Sequence, residues 1–84
     1  MDIPSAENVK SYKDLAAYIH LLVERIDDGS IRVENPQTVD YLGAAGSWVS
    51  SLRGYYLNSA GTPVPEQPDW ELIAVILSAA LIYE

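Results

Sequence analysis

Few residues of this chain have the chemistry of a catalytic group. Its one histidine is His20, and there is no cysteine. Acid–base and nucleophilic catalysis require a histidine beside a second reactive group, and no spacing in the sequence supplies that group. The acidic pair at Asp27 and Asp28 lacks the ligand spacing of a calcium loop, and Gly43 and Gly46 fall within a helical pattern. The sequence therefore favours a non-enzymatic protein without a metal site or a cofactor.

A larger group of residues has the chemistry of binding. Aromatic rings and side-chain amides surround a proline-rich segment, residues 63–68, and such rings are favoured anchors in interfaces. Two interpretations are open: the rings line a groove for a peptide or small ligand, or they clamp the proline segment against the body of the protein. Both place Trp70 in the core, where its replacement by alanine should cost about 3 to 5 kcal/mol. The candidate binding residues are Trp48, Tyr55, Tyr56, Asn58, Gln67, Trp70 and Tyr83.

The charge balance indicates which partners are compatible with the surface. Twelve aspartates and glutamates against five lysines and arginines give a formal net charge of −7. A field of this sign repels phosphate, so nucleic acid and anionic lipid are disfavoured as partners. Two interpretations of the acidic surface are open: it binds a basic protein partner, or it only keeps the protein soluble, which is the commoner reason for an acidic domain. The candidate acidic surface consists of Asp27, Asp28, Glu34 and Asp40.

The length of 84 residues predicts one domain, residues 1–84, with a modest core. The N-terminus has no basic segment followed by an apolar run, as a secretory signal would. The apolar C-terminal stretch is shorter than the roughly 20 residues that cross a bilayer. We therefore expect a cytoplasmic protein that does not bind membranes.

The elements that position these residues are predicted to be three helices, near 12–28, 37–53 and 70–83. The first begins at Ser11, an N-cap residue with Asp14 three positions on, and ends at Gly29, which suits the left-handed C-cap position. A 3-4 spacing predicts its buried face. That face consists of Tyr12, Leu15, Ile19, Leu22 and Ile26, broadened by Tyr18 and Val23.

The second predicted helix follows Asn35-Pro36, with Asn35 or Thr38 as its cap. Interior glycines cost roughly 1 kcal/mol each relative to alanine, so Gly43 and Gly46 predict a close crossing with another helix. Between the first two helices, residues 30–34 are predicted to be a connector that buries Ile31 and Val33. The predicted buried face of the second helix consists of Val39, Leu42, Ala45, Val49 and Leu52, with Trp48 beside it.

The last helix, capped by Asp69, has the sequence WELIAVILSAALIYE from Trp70 onward and is apolar on every face. It must be covered, and the predicted fold is accordingly an all-α three-helix bundle with this helix at its centre and a proline-rich connector before it. If the first two helices leave part of residues 72–82 bare, the alternative is a homodimer through this helix.

The chain also resembles a family of small, mostly bacterial proteins classed as a domain of unknown function. The resemblance extends from about Ser11 to the C-terminus and departs from the family pattern at Val33, where an aromatic residue is usual, and at Gly43 and Gly46, where bulkier residues are common. It implies a stand-alone bacterial domain and no catalytic residues. It is carried by Glu34-Asn35, Tyr41-Leu42, Trp48, Gly54-Tyr55-Tyr56, Asn58, Pro63-Val64-Pro65-Glu66-Gln67-Pro68, Trp70, Ala79-Ala80 and Tyr83-Glu84.

Three functions follow from these features. The first is a protein-interaction module that uses the acidic surface, in one form as an immunity-type protein neutralising a basic partner. The second is a structural homodimer through the last helix. The third is a site for a small ligand or peptide at the aromatic and proline residues.

Overall fold

A computed structural model describes residues 3–83, which form helices and loops and contain no strand. The helices are α1 (Tyr12–Asp27), α2 (Thr38–Ser50), α3 (Leu52–Ser59) and α4 (Trp70–Ala79). The all-α prediction is confirmed, whereas the prediction of three helices is wrong because the second predicted helix divides at Ser51. The hydroxyls of Ser50 and Ser51 donate to the carbonyls of Gly46 and Ser47, a side-chain contact that bends helices.

The ends of α1 are as the sequence predicts. The Ser11 hydroxyl accepts a hydrogen bond of 3.1 Å from the backbone N–H of Asp14, while Asp14 accepts one of 3.0 Å from the N–H of Lys10. At the other end Gly29 has a φ of 84°, the left-handed conformation that glycine adopts without strain. Local side-chain chemistry therefore sets both boundaries of this helix.

Helix α4 lies at the centre of the fold, as predicted. Both α1 and α2 pack against it, and Asp69 caps it by accepting a 2.8 Å hydrogen bond from the N–H of Leu72. Every residue from Leu72 to Leu81 is buried or half-buried. The main core cluster around α4 consists of Ala6, Val9, Tyr18, Leu22, Ile31, Ala74 and Leu81.

The connector between α1 and α2 is fastened to the carboxyl end of α4. Ile31 is buried and Val33 packs against the core, as predicted. The backbone N–H of Glu34 donates to the Leu81 carbonyl at 2.8 Å, and the Asn35 amide donates to the carbonyls of Ala80 and Tyr83 at 3.1 and 2.7 Å. Asn35 thus supplies donors to carbonyls that follow α4, rather than capping α2. The N-cap of α2 is Gln37, which makes no side-chain capping bond.

Helix α2 presents a different face to α4 from the one predicted. Val39 and Leu42 are 76% and 63% exposed, whereas Ala44 is buried and Tyr41 is half-buried. The Tyr41 hydroxyl donates a 2.7 Å hydrogen bond to the Leu77 carbonyl on α4, which fixes the rotation of α2 about its axis. The close crossing predicted at Gly43 and Gly46 is also wrong, because within residues 3–83 no atom beyond the local backbone of α2 lies within 4 Å of a Cβ built at either position.

Candidate functional site

The main concave surface is a groove between α1 and α2. Within residues 3–83 these two helices do not pack on each other; each packs on α4, which leaves a channel between them. One part of the channel is a cleft of about 450 Å³, and a second part of about 180 Å³ adjoins it through the shared residues Ile26, Tyr41 and Leu81. We call these two clefts together the interhelical groove. Its lining residues are Ile19, Leu22, Val23, Ile26, Val33, Asn35, Pro36, Gln37, Thr38, Tyr41, Leu77 and Leu81.

The α1 side of the interhelical groove is formed by Ile19, Leu22, Val23 and Ile26. The face of α1 that packs into the core contains Tyr18 and Leu22, both buried. Beside it, residues 12, 16, 19, 23 and 26 recur at spacings of four and three, the pattern by which one helix receives another. Tyr12, Ile19 and Val23 in this stripe are 64%, 38% and 50% exposed. Helix α1 thus has one apolar face that is covered and a second that is open.

The predicted acidic residues lie beside the groove in the chain, and all are exposed. Asp27 and Asp28 follow the lining residue Ile26, Glu34 stands between the lining residues Val33 and Asn35, and Asp40 precedes the lining residue Tyr41. Hydrogen bonds to the Asp28 carboxylate from the Ser30 side chain and from the Ser30 N–H, 2.8 Å away, lower the pKa of Asp28, and Arg25 adds to the effect. None of these four acidic residues lines the groove itself, but each lies one or two positions from a lining residue in the chain.

The predicted aromatic residues fall into two groups. Trp48 and Tyr55 have ring centroids 5.0 Å apart, and Tyr55 and Tyr56 are 5.4 Å apart at an interplanar angle of 89°. Trp48 and Tyr83 line a shallow cleft of about 310 Å³, whereas Tyr55 and Tyr56 line a separate cleft of about 280 Å³ between α3 and α4. The structure thus brings Trp48, Tyr55 and Tyr56 into one aromatic cluster, whose members line two different clefts.

The proline segment is not clamped by these rings. All residues from Gly61 to Trp70 are exposed, so the predicted packing of Pro63 to Pro68 against the body is wrong. Trp70 itself is 41% exposed, which contradicts its predicted core position. Asn58 and Gln67 are exposed and line none of the four clefts described here. A stiff proline segment holds its extended shape without packing, because its backbone is restricted locally.

The remaining candidates for chemistry are isolated. His20 is exposed on α1, and within residues 3–83 no three histidine, aspartate or glutamate side chains are grouped as metal ligands. In the same part of the chain no helix has both the length and the apolar character to cross a membrane.

Reasoning from the sequence did not identify the groove or two of its polar residues, Asn35 and Tyr41. A signal was present in α1, where the open stripe already has regular four-three spacing. Spacing alone does not separate this stripe from the buried face, because Leu15 and Leu22 adjoin the stripe on the helix surface. Asn35 and Tyr41 gave no local signal, since their partners lie 36 to 48 residues away in the chain.

The fold and the groove define a small all-α protein with a mainly apolar channel between two helices. A model of a family of unknown function, DUF7660, matches residues 11–84. The chain therefore belongs to this family, in agreement with the resemblance seen in its motifs. Comparisons with curated proteins and with solved structures gave no match.

Proposed function

We propose that this protein is a non-enzymatic interaction module whose interhelical groove binds an amphipathic helix of a partner protein. The observation that carries the proposal is the exposed apolar stripe of α1 beside a groove that is also lined by Leu77 of α4 and by Leu81, which follows α4. A helix that docks in a groove uses apolar anchors spaced three and four residues apart. The stripe at positions 12, 16, 19, 23 and 26 has the complementary spacing.

The partner helix is expected to be basic on its polar side. Residues 24–40 have a net negative charge, because they contain five acidic residues and two basic ones. These are Glu24, Asp27, Asp28, Glu34 and Asp40, and Arg25 and Arg32. Residues of this segment line the connector end of the groove. Opposite charge at the rim of an interface raises the association rate and selects among partners. Neutralisation of a basic toxin by an immunity-type protein is one biological form of such binding.

The test uses two fluorescein-labelled helical peptides with leucine at heptad positions a and d. One has lysine at the remaining positions and the other has glutamate. Fluorescence anisotropy should show that the lysine peptide binds, that its affinity falls as salt is added, and that the glutamate peptide binds far more weakly. Val23→Asp should lower the affinity for the lysine peptide by about tenfold or more, because it places a carboxylate in the apolar contact with the leucines of the peptide.

Two matched variants control this experiment. Leu57→Asp makes the same kind of change at a residue that is 52% exposed on α3 and lies outside the groove, so it should leave binding intact. The double variant Asp27→Lys/Glu34→Lys should lower the affinity for the lysine peptide. Glu66→Lys in the proline segment should lower that affinity less. Circular dichroism establishes that each variant remains folded. Equal affinity for both peptides, or a folded Val23→Asp variant that binds normally, would rule out this function.

The alternative of a homodimer through α4 has less support. Residues 72–81 are already buried or half-buried by their own chain, which leaves Ile82 as the exposed large apolar residue beyond them. Light scattering over a range of concentrations distinguishes the two proposals. A dimer that survives high salt and is broken by Ile82→Asp, but not by Val23→Asp, would favour the homodimer.

A further inference from the structure

The cleft between α3 and the start of α4 combines two features that the interhelical groove lacks: a pair of crossed aromatic rings and two carboxylates. Its volume is about 280 Å³, and it shares no lining residue with the groove. The helices α3 and α4 do not pack directly on each other, so the cleft separates them. Its lining residues are Tyr55, Tyr56, Ser59, Ala60, Asp69, Glu71, Leu72 and Val75.

The tyrosines form a corner within this cleft. Their ring centroids are 5.4 Å apart in an edge-to-face contact with an interplanar angle of 89°, and both residues line the cleft. The Trp48 ring also contacts Tyr55, with centroids 5.0 Å apart and an interplanar angle of 57°. Both tyrosines are only half-buried, which leaves ring surface accessible to a ligand. An aromatic corner of this kind attracts a cation through the negative charge density of the ring faces.

The carboxylates of Asp69 and Glu71 line the same cleft, and no lysine, arginine or histidine does. Asp69 is held in place because it also caps α4. Burial, followed by the negative charge of Asp69, the Tyr55 phenol and the charge of Glu71, raises the pKa of Tyr56. The charged side chains that line the cleft are thus both acidic, and they disfavour a bound anion.

We propose that this cleft binds a methylated ammonium group. Such a group has a diffuse positive charge and, when fully methylated, no N–H to donate, so aromatic faces and nearby carboxylates recognise it better than directional hydrogen bonds do. Leu72 and Val75 at the base of the cleft suit the methyl groups. The ligand is either a free quaternary ammonium compound or a trimethylated lysine on a protein, and binding requires no covalent step. The proposal is independent of helix binding in the interhelical groove.

The test compares choline with its neutral isostere 3,3-dimethylbutan-1-ol on the full-length protein. Nuclear magnetic resonance titration should show choline shifting the signals of Tyr55 and Tyr56, while the uncharged alcohol binds about two- to fivefold more weakly or not at all. A peptide carrying trimethyllysine and its unmethylated counterpart form the second arm. Tighter binding of the trimethyllysine peptide than of choline identifies a protein ligand, and the reverse identifies a free compound.

Two variants locate the binding. The double variant Asp69→Asn/Glu71→Gln removes both charges, and asparagine at position 69 can still cap α4. It should lower the affinity for the cation by about two- to fivefold. Glu66→Gln removes a charge outside the cleft and should have no effect. Equal binding of choline and the neutral alcohol overturns the proposal, as does the absence of Tyr55 and Tyr56 shifts with both choline and the trimethyllysine peptide.

Discussion

The two long connections of this chain are built in opposite ways. Residues 28–37, between α1 and α2, bury Ile31 and place three hydrogen bonds on carbonyls that follow α4. Residues 60–69, between α3 and α4, have no buried side chain and are stiffened by Pro63, Pro65 and Pro68. The first connection is fixed by contact with the core and the second by restriction of its own backbone. Stability should therefore be sensitive to substitution near the first connection and tolerant of it near the second.

Replacing a leucine by alanine should give the largest difference in stability between the two regions. Leu81 is 8% exposed, and its carbonyl accepts a hydrogen bond from the N–H of Glu34. Leu81→Ala should lower the free energy of unfolding by about 2 to 4 kcal/mol, because it leaves a cavity in the core. Leu57 is 52% exposed, so Leu57→Ala should lower the free energy of unfolding by less than about 1 kcal/mol. Urea denaturation measures both.

Trp70→Ala sharpens this comparison, since Trp70 adjoins the second connection. Its exposure predicts a smaller loss than that of Leu81→Ala, despite the larger side chain. Equal losses at Leu81 and Leu57, or a larger one at Trp70, would contradict the contrast between the two connections.

Asparagine substitutions test the polar part of the same contrast. Asn35→Ala removes the donor of two hydrogen bonds to the Ala80 and Tyr83 carbonyls, and it should cost about 1 to 3 kcal/mol because these part-buried acceptors lose a partner. Asn58→Ala, at an exposed residue of α3, should change stability by no more than about 0.5 kcal/mol. Thermal unfolding of the two variants at equal concentration makes the comparison. Similar melting temperatures would mean that the connector is held by Ile31 alone.

What the sequence could predict follows the same division between local and distant effects. Ser11, Gly29 and Asp69 act on neighbouring residues, so the boundaries they set were predicted correctly. The apolar character of residues 72–81 was enough to place α4 at the centre. The rotation of α2 was not predictable by spacing, because Val39, Leu42 and Val49 form an apolar face as regular as that of Tyr41, Ala44 and Trp48. The face that packs on α4 is the one on which Ala44 is buried and Tyr41 donates a hydrogen bond to the distant Leu77 carbonyl.

The candidate site divides in the same way. The acidic residues were identified from charge alone, but their position beside the groove depends on the path of the connector. The aromatic residues were identified from type, yet only Trp48, Tyr55 and Tyr56 came together, since they lie close in sequence across the α2–α3 bend. One of the two interpretations had these rings clamp Pro63 to Pro68, but the segment is exposed and local backbone restriction accounts for its shape.

Tyrosine 41 gives the next largest effect. Tyr41→Phe deletes the hydrogen bond to the Leu77 carbonyl and should cost about 0.5 to 1.5 kcal/mol at neutral pH, whereas Tyr12→Phe at an exposed residue should be neutral. Burial raises the pKa of Tyr41 above the ordinary value of 10.0, so the folded state favours the protonated phenol. This contribution is complete below the unfolded-state pKa and is lost as the pH rises through the folded-state pKa.

The pH dependence gives a second measurement on the same variants. The difference in stability between the wild type and Tyr41→Phe should be constant at neutral pH and should shrink under alkaline conditions. A difference that does not change across the alkaline range would show that Tyr41 ionises equally easily in the folded and unfolded chains.

The smallest expected effects come from the glycines of α2, and their sign is the informative part. Within residues 3–83 no atom beyond the local backbone of α2 lies within 4 Å of a Cβ at Gly43 or Gly46, so Gly46→Ala should stabilise the protein by about 0.5 to 1 kcal/mol through the better helix propensity of alanine. Gly29→Ala should destabilise it, because Gly29 has a φ of 84°, which alanine adopts only with strain. If Gly46→Ala were instead destabilising in urea denaturation, the outer face of α2 would have to be in contact with something in solution. Repeating the measurement at several protein concentrations would then show whether that contact is a second copy of the chain, since only a dimer has a stability that depends on concentration.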